Sequence, residues 1–378
     1  MKKIIYIGPF KMPDKNAGAH RVLNNARAIS KLGYQVIFVG MNEEADLDFA
    51  KTHYTWSGFD IYEINCKSTT EKIKKYSDVK YIDYIVKNNE DVAGIIAYDY
   101  YAPGLRMLKK YAKKKNLKLI ADTDEWFEIK KIRSIESIIR ILDSEMRMRF
   151  YQPRIDGIIT ISTFLKNYYE NKLPTMQVPP LVDKSEEKWQ EDARGEDGVL
   201  NLVYSGSPGG SKDRINVVVG AVAECEVSYK LRLNIIGVSK EQFLKVYPES
   251  KEALEASVNE IVFHGRVEHK VALTLLKSAD FAMFLRDDNR VSRAGFPTKF
   301  VESISAGVPV ITNRTSNISD FLTHGQNGFF VDINNANEEI KNILSQDIDT
   351  LKAIKANVNA DMFDYNNFVE EFKKVFNF

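Results

Sequence analysis

Residues 294–311 read Ala294-Gly295-Phe296-Pro297-Thr298-Lys299-Phe300-Val301-Glu302-Ser303-Ile304-Ser305-Ala306-Gly307-Val308-Pro309-Val310-Ile311. A Gly-Phe-Pro turn opens an amphipathic run, Ala-Gly-Val-Pro closes it, and a β-branched strand follows. Loop, helix and strand in that order are the repeating step of a parallel α/β sheet. The start of such a helix presents backbone N–H groups without intrahelical partners, and its dipole favours an anion there. Lys299 adds a positive charge, and Glu302, one turn in, can accept hydrogen bonds from ribose hydroxyls. The set suits the phosphates of a nucleotide-activated donor. Taken alone, it also fits an ordinary loop-helix-strand connection.

The same rhythm runs outward on both sides. Upstream, strands are expected at 3–7, 35–39, 94–97, 118–121 and 157–161, with a helix at 21–32 that Gly33 ends. In the second half, strands are expected at 201–205, 232–236, 260–263, 281–285 and 309–312, with helices at 215–223, 270–278, 298–306 and 318–322. The stretch 184–198 is too polar to bury a face and reads as a linker between two α/β domains, 1–183 and 199–360. Residues 361–378, with Phe368, Phe372, Val375 and Phe376, read as an amphipathic terminal helix.

At 378 residues, with 44% apolar and 28% charged side chains, the chain is long enough for two cores and has a globular composition. No apolar run approaches the roughly 18 residues needed to span a bilayer. Met1 to Gly8 reads as a first strand, not a signal peptide. Cys66 and Cys225 lie far apart, and the five histidines form no His-x-x-x-His cluster, so neither a disulfide framework nor a metal site is expected. Reduced thiols point to the cytoplasm. Residues 1–180 hold 30 Lys and Arg against 22 Asp and Glu, while residues 181–378 hold 23 against 30. The basic half suits an anionic partner or a lipid surface, or is simply a solvated surface.

Aligned on Gly295, Phe296 and Glu302, the opening stretch resembles the donor signature of retaining GT-B glycosyltransferases, Glu-Gly-Phe-Gly-Leu-Pro-x-x-Glu, of the glycosyl transferases group 1 family. Ala294 stands where the first glutamate of the signature would be, with Asp287 or Asp288 as substitutes from a neighbouring loop. Tyr204-Ser205-Gly206-Ser207-Pro208-Gly209-Gly210-Ser211-Lys212-Asp213 is similar to the family's Gly-Arg-x4-Lys segment. Lys212 keeps the lysine, Ser207 replaces the arginine, and Arg214 or Arg293 could compensate. Asn234-Ile235-Ile236-Gly237 and Phe263-His264-Gly265-Arg266 resemble its strand-end turns, where main-chain groups read the base, and Arg266 joins the donor set. The correspondence is nearly continuous from Asn201 to Phe330.

In the first half, Asn16-Ala17-Gly18-Ala19-His20-Arg21 resembles the family's glycine-containing loop. Gly18 would let phosphate or acceptor approach the backbone, Arg21 would meet an anionic group, and His20 would line the cleft or face solvent. Asp99 or a neighbouring tyrosine would take the place of the family's histidine near the sugar. Glu125 with Trp126 would suit a sugar acceptor, whereas Asp122 or Asp124 would cap the next helix. Residues 129–150, with Ile138, Ile139, Leu142 and Met146 among basic residues, form either a core-facing or a membrane-surface helix.

The resemblance implies an α/β GT-B fold, two Rossmann-like parallel-sheet domains facing a cleft. The N-terminal one would hold the acceptor, the C-terminal one the nucleotide sugar, and the terminal helix would cross back to the first. It implies a metal-independent, retaining hexosyltransferase without cofactor. Lys212 and Lys299 would stabilise the leaving diphosphate with Thr298, while Gly295, Phe296 and Pro297 border the sugar. Partners would be a nucleotide sugar, a glycan or lipid-linked acceptor and a membrane surface at its cytoplasmic face, with no nucleic acid. The altered positions keep open a non-catalytic glycosyltransferase-like subunit that binds a glycan or partner, and sugar-nucleotide epimerisation on the same architecture.

Overall fold

The computed structural model describes residues 1–13, 15–128, 135–191, 193, 195–206 and 213–378. The chain forms two compact units: Met1–Val182 with Arg293–Phe296 and Asp364–Phe378, and Asp183–Ser292 with Pro297–Phe363.

The first unit is built on an eight-stranded sheet of order β3-β4-β2-β1-β5-β6-β7-β8. Its strands are β1 (Lys3–Ile7), β2 (Gln35–Asn42), β3 (Tyr54–Trp56), β4 (Phe59–Asn65), β5 (Val92–Tyr98), β6 (Lys118–Thr123), β7 (Gly157–Thr160) and β8 (Thr175–Gln177). All pairs are parallel except β3 with β4. The central strand Lys-Ile-Ile-Tyr-Ile is a continuous apolar run because helices cover both faces. Ile4 and Tyr6 join Val22, Ile29, Phe372 and Phe376 on one side. Ile5 and Ile7 join Ile82, Leu105 and Leu108 on the other.

The first helix runs Ala17–Lys31, four residues earlier at its start than the apolar spacing suggested, because Asn16 caps it by accepting from Ala19 N at 2.8 Å. The terminal segment is a 3-10 turn, Tyr365–Phe368, and a four-residue helix, Val369–Phe372, whose aromatic rings pack into this unit's core. Within 129–150, residues 129–134 lie outside the described ones, and a helix covers Ile135–Met146. Its buried face carries Ser144 and continues into Arg147 and Met148, while Ile138, Ile139, Leu142 and Met146 are exposed. The core-facing reading therefore fails for those four side chains.

The second unit holds an all-parallel six-stranded sheet of order β11-β10-β9-β12-β13-β14. The strands are β9 (Val199–Ser205), β10 (Lys230–Ile236), β11 (Glu260–Gly265), β12 (Phe281–Phe284), β13 (Val310–Asn313) and β14 (Gly328–Val331). Sequence order reverses between β9 and β12, the place where open parallel sheets bind ligands at their carboxyl ends. Helices Ile215–Ala223, His269–Lys277 and Thr298–Ser305 connect the strands. Residues 318–322 form only a three-residue 3-10 turn, Ile318–Asp320.

The polar stretch 184–198 is no free linker. It carries a short helix, Glu187–Gln190. Lys184 Nζ donates to Ser305 O at 2.6 Å, and the buried Lys277 ammonium donates to Lys188 O and Glu191 O at 2.6 and 2.5 Å. Lys355 in turn donates to Lys277 O and Ala279 O. Backbone carbonyls clasped by ammonium groups substitute for the apolar face that the segment lacks. Among the described residues no helix is long and apolar enough to cross a membrane.

Candidate functional site

In the second unit, the carboxyl ends of β9 and β12 bring four side chains together. Lys299, on the first turn of Thr298–Ser305, is ion-paired with Asp213 Oδ2 and donates to Tyr204 Oη at 3.0 Å. Its ammonium also lies over the Tyr204 ring, 4.2 Å from the centroid. Arg286, just beyond β12, donates from Nε to Asp213 Oδ1 at 3.0 Å. A single carboxylate thus holds two cations whose side chains are 18% and 14% exposed. Burial pushes the Asp213 carboxyl up, but Lys299 and Arg286 outweigh it and hold it below its ordinary range. Burial lowers the Lys299 ammonium despite that partner.

Gly206 follows β9, and a Cβ there would collide with Lys299 Nζ and meet Tyr204 Oη at 2.9 Å. Only glycine lets the ammonium lie against this strand end. Pro297 occupies the N-cap of the Thr298–Ser305 helix, and no side chain caps it. The helix start offers backbone donors beside Lys299, with Thr298 exposed. Arrayed this way, the group suits a doubly charged phosphate ligand, which could take over hydrogen bonds that Asp213 now accepts.

Around it, Glu302 Oε1 is 3.3 Å from His269 Nε2 at the start of the His269–Lys277 helix. Arg266 is exposed in the turn before that helix, after Gly265 at φ 63°. Gly237, at φ 93°, donates to Gly265 O at 2.6 Å, so both strand-end turns need glycine. Ser207 and Lys212 lie outside the described residues. The proposed substitutes Arg214 and Asp287 pair with each other at 2.5 Å. Sequence reasoning missed Arg286, Tyr204, the role of Asp213, and His269. Arg286 sits in Arg-Asp-Asp-Asn-Arg, which reads as a solvated charge run, and its position one residue past the strand Phe281–Leu285 was the available signal.

In the first unit, strand ends gather carboxylates instead. Arg21, expected to meet a ligand anion, is 4% exposed and bonds Asp122 Oδ1 through Nε at 3.0 Å and Nη2 at 2.7 Å, with Nη1 on Val178 O at 3.0 Å. Tyr6 and Asn25 bond the other oxygen of Asp122. This buried pair is internal to the fold and unavailable to a ligand. Gly18 serves packing: a Cβ there would stand 3.0 Å from the Tyr98 ring. His20 is half-buried on the same helix.

Asp99, at φ 41°, pairs with the buried Arg147, and Tyr98 Oη donates to Asp124 Oδ2 at 2.6 Å. Burial, then the nearby Asp99 and Glu125 charges, push the Asp124 carboxyl up to about 7. Neither Asp122 nor Asp124 caps a helix among the described residues. Trp126 is not a stacking platform. It is 3% exposed, donates to Glu145 at 3.0 Å and has Tyr168 and Arg149 on its ring. Ala294 is fully buried in the first unit and its carbonyl accepts from Ser162 Oγ at 2.7 Å; Gly295 and the buried Phe296 follow there. Among the described residues no three His, Cys, Asp or Glu side chains could hold a metal.

The fold has counterparts in known proteins. Residues 189–360 match the family model described as glycosyl transferases group 1. Sucrose-phosphate synthase from Thermosynechococcus elongatus superposes with a TM-score of 0.73 at 13% identity, covering 100% of this chain and 98% of that one. WaaG, a glycosyltransferase involved in lipopolysaccharide biosynthesis, gives 0.67 at 13% identity over 99% and 100%. Anabaena HepE in complex with UDP and glucose gives 0.64 at 13% identity over 99% of each chain. No relative was found among curated proteins. The carboxyl-terminal part of the chain thus matches the glycosyl transferases group 1 family, and the fold of the chain is GT-B.

Proposed function

We propose that the protein is a retaining, metal-independent hexosyltransferase that moves a sugar from a nucleoside diphosphate sugar to a glycan or lipid-linked acceptor, in the cytoplasm, during surface-polysaccharide assembly. The observation that carries this reading is the pair of cations, Lys299 and Arg286, held on Asp213 at the β9 and β12 ends beside an uncapped helix start. Arg286 is the second diphosphate cation, in place of the arginine that Ser207 replaces. As the bond to the sugar breaks, negative charge builds on the diphosphate, and preorganised ammonium, guanidinium and amide donors stabilise it. Glu302 accepts from the ribose once it exchanges His269 for a hydroxyl. The departing phosphate oxygen takes the acceptor's proton on the same face, so no protein nucleophile is needed. The UDP and glucose bound to HepE and the lipopolysaccharide role of WaaG support the donor class and the pathway.

Calorimetric titration of the full chain with UDP, GDP and ADP tests the site. One of them should bind, and Lys299→Ala or Arg286→Ala should weaken it while the fold persists. Failure of all three to bind rejects the reading. A second reading, a binding subunit without turnover, is favoured by the burial of Ala294 where the signature carries a glutamate. Release of nucleoside diphosphate from a donor sugar, with transfer to an acceptor, separates the two.

A further inference from the structure

The first unit carries an apolar stripe that none of its described residues covers. Ile139, Leu142, Met146 and Phe150 are 45%, 59%, 45% and 57% exposed and recur every three or four residues along Ile135–Met146 and the turn after it, Arg147–Tyr151. This spacing puts them on one helical face. The rest of the helix is fixed to the fold: Ser144 and Met148 are buried opposite the stripe, and along its flanks Asp143 accepts from Ala102 N at 2.8 Å, Glu145 accepts from Trp126, and Arg147 pairs with Asp99. The stripe therefore cannot roll inward without breaking buried ion pairs and hydrogen bonds.

Beside it runs the helix Ala102–Lys115, whose sequence Arg-Met-Leu-Lys-Lys-Tyr-Ala-Lys-Lys-Lys exposes cations along its outer face. Two grooves meet here. One is lined by Arg106, Lys109, Lys110, Met146, Phe150 and Arg154. The other shares Lys109 and Arg154 and adds Lys113 and Lys118. Asp156, paired with Lys118 at 3.6 Å, is the one carboxylate lining either groove among the described residues.

We propose that this surface docks the protein on an anionic lipid bilayer, with the Leu142–Phe150 stripe entering the headgroup boundary and the lysine-lined grooves taking lipid phosphates. An apolar ridge flanked by Lys and Arg is the arrangement that combines burial with attraction to a negative leaflet. The charge complementarity selects this occupant over a second copy, whose equally basic face would repel it. The Asp99 and Asp124 cluster is joined to the same helix through Arg147, so a lipid-linked acceptor would meet the first unit where it touches the membrane. The inference stands independently of the donor site.

Co-sedimentation of the full chain with phosphatidylcholine vesicles, with and without phosphatidylglycerol, tests it. Binding should require phosphatidylglycerol and fall with rising salt. Lys109→Ala with Lys110→Ala should lower partitioning roughly 30-fold, and Leu142→Ser with Phe150→Ser roughly tenfold or more. Nucleoside diphosphate affinity, read on the same samples, should stay unchanged in both double variants and so report the fold and the donor reading separately. Absence of binding, equal binding to neutral vesicles, or unchanged partitioning in both variants overturns the proposal. A dimeric mass that Leu142→Ser with Phe150→Ser converts to a monomer overturns it too, because a second copy then covers the face.

Discussion

The strand ends of the two units carry opposite charge, and each opposes the half of the chain it belongs to. The basic first half gathers Asp99, Asp122, Asp124 and Glu125 around two arginines, both engaged inside the fold. The acidic second half gathers Lys299 and Arg286 around one carboxylate that they share. In the first, both arginines are buried and held by carboxylates of the fold itself; the second leaves donor capacity for an incoming anion. Net charge per half describes surfaces, and the sign at the sheet's carboxyl edge describes what binds.

The sharpest break of this contrast is Arg21→Ala, which strands the Asp122 carboxylate in the core. It should cost about 3–5 kcal/mol of stability, seen as a lower urea midpoint. A loss below about 1 kcal/mol would mean that the pair is not the internal strut described. Next comes Lys299→Ala, which should weaken nucleoside diphosphate binding by about 2–3 kcal/mol with little change in melting. Arg214→Ala, removing a cation that pairs with Asp287, serves as the control and should bind normally.

A smaller effect belongs to Asp124. Its folded carboxyl sits near 7, above its ordinary value, so the folded state holds the proton that the unfolded chain releases near pH 4. The contribution of Asp124 to stability is therefore fullest below about pH 4 and is lost as pH rises through about 7. Asp124→Asn should flatten that decline, by about 1–2 kcal/mol between pH 5 and 8. An unaltered pH profile of the melting temperature would refute the assignment. The smallest effect is Glu302→Gln, about 1 kcal/mol, which should weaken nucleoside diphosphate but leave inorganic pyrophosphate affinity unmoved.

Much of the fold was legible because central parallel strands are unbroken apolar runs, as in Ile4–Ile7 and Phe281–Phe284. Strands β3, β4, β8 and β14 escaped: β3, β8 and β14 have only three or four residues and lie at sheet edges, while β4, Phe-Asp-Ile-Tyr-Glu-Ile-Asn, alternates apolar with polar or half-buried residues. The Gly-Phe-Pro-Thr-Lys turn marked the helix start, which puts Lys299 on the first turn. Its partners were hidden by distance: Asp213 and Arg286 come from separate loops, and only the β9 and β12 pairing joins them. Arg21 misled for the same reason, since the residue that neutralises it is Asp122 on a strand three crossovers later. A motif reports side chains that are neighbours in sequence; whether a charge is available depends on neighbours that are not.

The ammonium clasps on 184–198 give the second unit a built-in reporter. With Lys277 and Lys355 bonded to carbonyl oxygens, an amine-acylating reagent should pass over both in the native molecule while tagging the exposed lysines of Ala102–Lys115 at once. Mass increments at those two positions would then time-stamp the opening of the second unit, residue by residue, without any probe being introduced.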